Sequence, residues 1–150
     1  MWRLMCQTDI NAIYQISLVQ WGSTHYESID IFQDKYDFYP SGCFVYEKDN
    51  TVEGYIISHP WSESVIPKLN ERLDVVEINT YYIHDIVISP HLRGYRLANE
   101  IIMNIIDNKK SVCLVAISFD IQTYWEKFGF KKTEIQCDYG VHMKFTSINL

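Results

Sequence analysis

The sequence offers little that would build a disulfide framework, a metal knuckle or a membrane span. Its four cysteines include no C-x-x-C pair, which argues against a zinc or thiol redox motif. No apolar run approaches the roughly 18 residues of a membrane-spanning helix, and the first residues lack the apolar stretch of a signal peptide. We therefore expect a soluble cytoplasmic protein with reduced thiols, no bound metal and no membrane partner.

Basic residues are also scarce. The chain carries 13 Lys and Arg against 19 Asp and Glu, a formal net charge of −6. The nearest approach to a basic patch is the two pairs Lys109–Lys110 and Lys131–Lys132, too few to neutralise a run of phosphates. The composition therefore predicts no nucleic-acid partner, and its acidic balance favours a cationic ligand such as an amine.

What the chain does contain is the material of one globular core. Of its 150 residues, 47% are hydrophobic and 21% are charged, a balance typical of folded domains. No internal repeat, low-complexity tract or linker divides it. We therefore expect residues 1–150 to form a single domain.

Hydrophobic periodicity predicts an α/β chain with the element order β-α-α-β-β-β-α-β-α-β-β. Strands are expected over residues 4–6, 42–46, 51–58, 82–89, 112–117, 132–137 and 141–146, and helices over 10–21, 28–39, 97–106 and 120–127. The stretch 59–80 is expected to be irregular, with one helical turn near 68–73. The central strand, helix and strand form a βαβ unit, so those two strands should be parallel.

The most informative segment follows the central strand, where Ser89-Pro90-His91-Leu92 leads into Arg93-Gly94-Tyr95-Arg96-Leu97-Ala98. A loop that opens a helix directs backbone N–H groups and a partial positive charge to one place, which suits a pyrophosphate. Arg93 and Arg96 could add charge there. The segment resembles the acetyl-CoA-binding motif R/Q-x-x-G-x-G/A of the GNAT acetyltransferases. Arg93 and Ala98 match its first and last positions, and Arg96 stands where the family has Gly.

A second segment, Tyr124-Trp125-Glu126-Lys127-Phe128-Gly129-Phe130, resembles the later GNAT signature, aromatic-Tyr-x-K-x-G-F. Two motifs in the right order and structural context are stronger than either alone. The resemblance extends over essentially the whole chain. It implies a central, mixed, mostly antiparallel sheet of six to seven strands with a splayed parallel pair, flanked by about four helices.

The same resemblance implies where acetyl-CoA would bind. Its pantetheine arm would pair with the backbone of Ile86, Val87 and Ile88 like an added strand. Ser118 occupies the place of a family Asn, where it could bond the pantetheine or cap the next helix. Trp125 stands where a Tyr commonly protonates the departing CoA thiolate. Tyr124 is the adjacent candidate for that acid, although on a helix it should point elsewhere.

The implied reaction is direct attack of a primary amine on the thioester carbonyl of acetyl-CoA. A lysine-like amine has a pKa of about 10.4, so making it neutral at pH 7 costs roughly 4–5 kcal/mol, which a general base offsets. His84 and Asp85 interrupt the central strand and are the candidates for the base, or else form a structural pair. Successive strand residues point to opposite faces, so only one should face the cleft unless the strand is bulged. His59 and Trp61 either line the acceptor pocket or pack on the sheet edge.

Alternatives remain open at this stage. Arg96 and Trp125 favour a CoA-binding module without catalysis, used as a sensor or partner protein. A longer acyl donor or a hydroxyl acceptor is a third hypothesis. The acceptor could be a small amine or an amine of a protein, and exposed strand edges in folds of this size allow a homodimer.

Overall fold

The computed structural model describes residues 1–148, which fold around one seven-stranded sheet. The strands are β1 (Trp2–Leu4), β2 (Cys43–Lys48), β3 (Thr51–Trp61), β4 (Thr80–Ile88), β5 (Ser111–Ala116), β6 (Lys131–Lys132) and β7 (Val141–Thr146). The helices are α1 (Ile10–Trp21), α2 (Ile29–Phe38), α3 (Leu97–Asp107) and α4 (Phe119–Glu126), with 3₁₀ turns at Gln7–Asp9, Pro40–Gly42 and Pro90–Leu92. Within the described residues, no helix combines the length and apolarity needed to cross a membrane.

The strand order is β1-β2-β3-β4-β5-β7-β6, and every neighbouring pair is antiparallel except β4 and β5. This confirms the predicted parallel pair and the mixed, mostly antiparallel sheet. β4 and β5 pair only at Tyr81–Val112 and Tyr82–Cys113. Beyond these positions the two strands have no register with each other, so the sheet is split along half its length.

Two hydrophobic cores cover the two faces of the sheet. On one face α1 and α2 pack against the strands through residues such as Ile13, Phe32 and Tyr55. On the other, α3 and α4 pack through residues such as Ile102 and Trp125. Fully burying an apolar side chain of this size stabilises a fold by roughly 1.5–3 kcal/mol. Both helical layers are therefore held on the split sheet.

Two expected elements are wrong in the segment after β3. Residues 59–61 are not irregular, because His59 and Trp61 continue β3 in register with Tyr82 and Thr80 of β4. No helical turn forms over 68–73. Asn70 there adopts a left-handed conformation with φ of 57°, and its N–H bonds the Glu27 carboxylate instead of a helical carbonyl.

The two ends of the chain also differ from expectation. β1 lies at Trp2–Leu4 and overlaps the predicted strand over 4–6 only at Leu4. β6 is limited to Lys131–Lys132, so only Lys132 of the predicted strand over 132–137 is in the ladder. The Thr133 hydroxyl bonds the His142 ring at 2.7 Å and accepts the Ile135 N–H at 3.2 Å. Thr133 still donates its N–H to the His142 carbonyl at 2.9 Å, and such local side-chain bonds compete with a strand ladder beyond it.

A β-bulge in β4 changes which way its central side chains point. Asp85 is opposite Ile57 of β3 while Ile83 is opposite the next residue, Ser58, so His84 is the extra residue. Ile83 and Ile86 pack into the α3–α4 core. His84 and Asp85 both lie on the α1–α2 face, because a bulge shifts the alternation by one residue. The expectation that the two would face opposite sides is wrong for this reason.

Candidate active site

An elongated groove of about 420 Å³ runs along the separated half of β4 to the start of α3. Its walls come from α1, β4, the loop before α3 and α4: Gln20, Trp21, Ile86, Val87, Ile88, Leu92, Arg93, Gly94, Arg96, Leu97, Ala98, Asn99, Ile121 and Tyr124. Most of the predicted cofactor residues are therefore brought together. Tyr95 is not on this wall and is 71% exposed.

The loop before α3 has an unusual backbone conformation that leaves it open to a ligand. Gly94 and Arg96 both have positive φ, 89° and 58°. A β-carbon added to Gly94 would meet no atom within 4 Å, so the loop is open to a ligand on that side. Among residues 1–148, the backbone N–H groups of Gly94, Tyr95 and Arg96 meet no acceptor. Together with the α3 N-terminus they can receive the oxygens of a phosphate.

The Arg93 side chain holds this loop in place. Its Nε donates to the Ile88 carbonyl at 3.0 Å, and its terminal nitrogen donates to the Gln20 side chain. The guanidinium thus ties the loop to the end of β4 and to α1. Arg93 lines the groove, and these two guanidinium nitrogens are already hydrogen-bonded within the protein.

Arg96 carries conformational strain that its replacement should remove. A non-glycine residue in the left-handed region costs roughly 1–2 kcal/mol, and Arg96 makes no capping bond that would offset this. We expect Arg96→Gly to raise the free energy of unfolding by about 1 kcal/mol in urea titrations. Arg96→Ala keeps the β-carbon and is the matched control. An equal gain in the alanine variant would show that strain is not the cause.

A second cavity of about 190 Å³ lies beside the groove, where β4 and β5 separate. Trp21, Ile86, Ile121 and Tyr124 line both spaces, so the two are continuous. The rest of the cavity wall comprises His25, Glu27, Leu69, Tyr82, Ile83, His84, Asp85, Leu114, Val115, Ile117, Trp125 and Tyr139. The arrangement gives an elongated site and a compact site that share one wall.

A buried ionic cluster lies on the α2 side of the cavity. The Lys35 ammonium is 2.6 Å from the Glu27 carboxylate and 2.6 Å from His84 Nε2, and both charged residues are almost fully buried. Burial alone would raise the pKa of Glu27, but the positive charge of Lys35 beside it holds that pKa below its ordinary value. Burial lowers the pKa of Lys35, and Glu27 opposes that change.

The Lys35 contact fixes the state of His84. An ammonium has no lone pair, so it donates and Nε2 accepts, which leaves the imidazole proton on Nδ1. Burial and the neighbouring Lys35 charge lower the pKa of His84, and its ring is therefore neutral. Nδ1 has no partner within the described residues. His84 is thus a neutral member of the cluster, with its accepting nitrogen already bonded.

Asp85 lies on the cavity wall and is bonded to Trp21, a residue of the shared wall. Trp21 Nε1 donates to one of its carboxylate oxygens at 3.2 Å and the Tyr55 hydroxyl donates to the other at 2.5 Å. Burial raises the pKa of Asp85 to about 6, so the carboxylate is ionised at neutral pH but remains a usable base. The ionised Glu27, Lys35 and Asp85 leave the cavity wall with one net negative charge.

The remaining predicted residues take varied places. Tyr124 lines both spaces and is half-buried, and burial raises the pKa of its hydroxyl. The expectation that it points away from the site is wrong. Trp125 is buried in the α3–α4 core with one side on the cavity. Ser118 caps α4 by accepting the Ile121 N–H at 3.2 Å. Capping is one of its two predicted roles.

His59 and Trp61 do not reach the groove or the cavity. Both are buried at the end of β3, in an aromatic cluster with Phe38 and Tyr82. The expectation that they line the acceptor pocket is wrong, because the extended β3 carries them into the sheet. His59 and Trp61 instead take the alternative role stated above, packing at the end of the sheet.

Two site residues escaped the sequence interpretation. Lys35 follows Ile31 and Phe32 at helical spacing, so a lysine on an apolar stripe was a usable signal of a buried charge. Glu27 lies in the turn between α1 and α2, where a carboxylate has no distinguishing pattern. Its role depends on tertiary contacts with Lys35 and Asn70.

The split parallel pair beside a phosphate-type loop matches the fold that the sequence resemblance implied, and comparison with known proteins agrees. The family model for the acetyltransferase (GNAT) family matches residues 10–130. The chain therefore belongs to the GNAT acetyltransferase family. The search of curated proteins found no significant match.

Solved structures share the fold over nearly the whole chain. Ard1 from Thermoplasma volcanium superposes with a TM-score of 0.76 at 17% identity, covering 99% of this chain and 98% of that one. A chain of the NatC complex bound to Gag peptide and CoA gives 0.72 at 14% identity, covering 98% of each chain. Naa20 of Chaetomium thermophilum, in complex with a bisubstrate analogue, gives 0.69 at 13% identity, covering 97% and 86%. At these identities the likeness is one of fold.

Proposed function

We propose that this chain is an N-acetyltransferase that transfers the acetyl group of acetyl-CoA directly to a primary amine. The observation that carries the proposal is the shared wall of the groove and the cavity, with Asp85 on the cavity side of it. Direct transfer needs both reactants to meet at one point. The groove suits the long donor and the cavity suits the acceptor.

The donor would lie along the separated half of β4. Beyond Tyr82 that strand has no partner in β5, so alternate backbone groups toward Ile88 are available to the amides of the pantetheine arm. The pyrophosphate would meet the free N–H groups of Gly94–Arg96 and the α3 N-terminus. A CoA complex of a chain with this fold is known in the NatC structure.

The chemistry would be divided between Asp85 and Tyr124. Asp85 accepts a proton from the acceptor ammonium, directly or through water, and the neutral amine attacks the thioester carbonyl. A backbone N–H near Ile86 or Val87 stabilises the oxyanion. When the C–S bond breaks, Tyr124 at the shared wall donates its hydroxyl proton to the CoA thiolate, and the proton that the new amide nitrogen loses restores the Tyr124 hydroxyl. His84 stays neutral beside the Lys35 charge, and it is not needed as the base.

Calorimetric titration of acetyl-CoA tests the donor site. Gly94→Asp adds a carboxylate to the open side of the loop, where it would repel the pyrophosphate. We expect micromolar binding of acetyl-CoA by the natural sequence and none by the variant. In a second assay, the natural sequence should release CoA thiol when an amine from a test panel is added. Absence of binding to the folded natural sequence would disprove the acetyltransferase assignment. Binding without release by any amine would favour the CoA-binding module.

Removal of the Tyr124 hydroxyl should slow turnover without weakening donor binding. The CoA thiolate is a tolerable leaving group, so we expect Tyr124→Phe to lower kcat by roughly 10²-fold, at the low end for a general acid. The measurement is CoA-thiol release at saturating amine. Tyr46→Phe, on the far strand β2, is the control and should leave kcat unchanged. An unchanged kcat in Tyr124→Phe would remove this residue from the mechanism.

A further inference from the structure

The segment between β3 and β4 borders the cavity. This segment, residues 62–79, has no helix or strand of its own, yet it is fixed on both sides of the cavity. We call it the bridge. Its Leu69 lies on the cavity wall, as does Tyr139 of the loop before β7.

One end of the bridge is bonded to the turn between α1 and α2. Asn70 donates its N–H to the buried Glu27 carboxylate at 2.9 Å and accepts the Ser28 N–H on its side chain at 2.8 Å. The Asp34 carboxylate accepts the Leu73 N–H at 2.9 Å. Hydrogen bonds to charged groups are the stronger kind, so the Glu27 and Asp34 carboxylates hold this end of the bridge.

The other end is bonded to the loop before β7. The Tyr139 hydroxyl donates to the Pro67 carbonyl at 2.7 Å, and the Lys144 ammonium of β7 pairs with Glu63 at 2.7 Å. The bridge therefore spans from the α1–α2 turn to β7 across the cavity. Because the bridge is bonded to both walls, we expect little room for an extended peptide between them.

The cavity wall also limits the charge and the size of its occupant. About 190 Å³ is available, below the roughly 300–1,000 Å³ of sites that bury drug-sized ligands. Most of the lining is aromatic or branched aliphatic, including Tyr82, Leu114 and Ile117. Lys35 neutralises one of the two carboxylates, which leaves a single negative charge at Asp85 for a single ammonium.

From the bridge, the small volume, the apolar lining and the single negative charge we infer that the acceptor is a small primary monoamine with an apolar or aromatic body, and not a peptide, a protein terminus or a polyamine. The inference rests on the proposed acetyl transfer and names its acceptor class. The ammonium would lie beside Asp85, and the apolar body would pack against Leu69 and the β5 residues of the cavity.

Direct binding tests this class without relying on turnover. Saturation-transfer NMR on the full chain would compare 2-phenylethylamine with tetra-alanine carrying a free amino terminus and with spermidine. We expect binding of 2-phenylethylamine alone. Leu69→Trp should fill the cavity and weaken that binding by at least about tenfold. Val75→Trp is the matched control, since Val75 is on the same bridge but 99% exposed, and should bind as the natural sequence does.

Acetyl-CoA titration of the same variants separates this inference from the proposed function. Leu69 lines the cavity and not the groove, so donor affinity should stay within about twofold, which also shows that the variant is folded. If acetyl-CoA binds but tetra-alanine is bound or acetylated as well as 2-phenylethylamine, the acceptor class is wrong and acetyl transfer stands. If 2-phenylethylamine binds and acetyl-CoA does not, the acceptor cavity stands and the transferase proposal fails. Absence of 2-phenylethylamine binding overturns the acceptor class in either case.

Discussion

Asp85→Asn should lower kcat/KM for acetyl transfer by about 10³-fold, within the range for loss of a general base. The substitution keeps the shape of the side chain but removes the proton acceptor beside the shared wall. For the natural sequence, kcat/KM should fall tenfold per pH unit below about pH 6, because burial raises the pKa of Asp85 to about 6. The variant should lose this bend in the pH profile.

Stability measurements distinguish loss of the base from loss of the fold. The folded-state pKa of Asp85 is above its unfolded value, so the group favours folding only while protonated, and that contribution is lost as the pH rises through about 6. Asparagine stays neutral, and the Tyr55 hydroxyl can turn to accept from its amide. Asp85→Asn should therefore be at least as stable as the natural sequence at pH 8. A variant that is folded, stable and fully active would disprove the base assignment.

Tyr55→Phe provides a second control on the same carboxylate. The Tyr55 hydroxyl donates to Asp85 and so lowers the pKa that burial raises. Without this bond, the bend in kcat/KM should move to higher pH, while the plateau rate is retained above it. A bend that stays at pH 6 in Tyr55→Phe would mean that a different group controls the rate.

Lys35→Met should destabilise the fold by about 3–5 kcal/mol at pH 8, because it leaves the Glu27 carboxylate buried without its ammonium partner. For a domain of this size that corresponds to a melting temperature lower by roughly 10 °C. Urea unfolding at pH 8 measures the loss directly. Lys48→Met, at an exposed position on β2, should change stability by no more than about 0.5 kcal/mol.

The loss in Lys35→Met should shrink as the pH falls. The Lys35 charge is one cause of the low pKa of His84, so its removal lets His84 take up a proton at mildly acidic pH. His84 Nε2 is 3.2 Å from the second Glu27 oxygen and can then donate to it. We expect a smaller loss at pH 6 than at pH 8. A loss that grows toward pH 6 would contradict this account of the cluster.

The sequence predicted the framework of the fold because periodicity and turn residues determine it locally. The βαβ unit, α3 and β7 could be predicted from apolar spacing and from Pro90 and Gly129, residues that end a strand and a helix. The loop from Arg93 to Ala98 could be assigned to a phosphate-type site because one short segment contains all of its elements. The split between β4 and β5 came from the family resemblance and was confirmed by the register.

The acceptor side could not be predicted in the same way, since its parts are distant in sequence. Glu27, Asn70 and Tyr139 meet only through tertiary contacts. The bulge at His84 has no glycine to mark it, and it reverses which face the residue uses. Strict strand alternation would place His84 and Asp85 on opposite faces, whereas the bulge places them on the same face.

The two roles of Glu27 limit how the acceptor preference of this protein can change in evolution. Its carboxylate neutralises Lys35 in the interior and also receives the Asn70 N–H of the bridge. Loop exchange is a usual route to new substrate preference, because loops ordinarily tolerate change. Here a transplanted bridge that lacks the Asn70 bond would leave an interior charge less satisfied. New acceptor preferences should therefore arise together with compensating changes inside α2 and β4, and chimaeras that swap residues 62–79 alone should fold poorly.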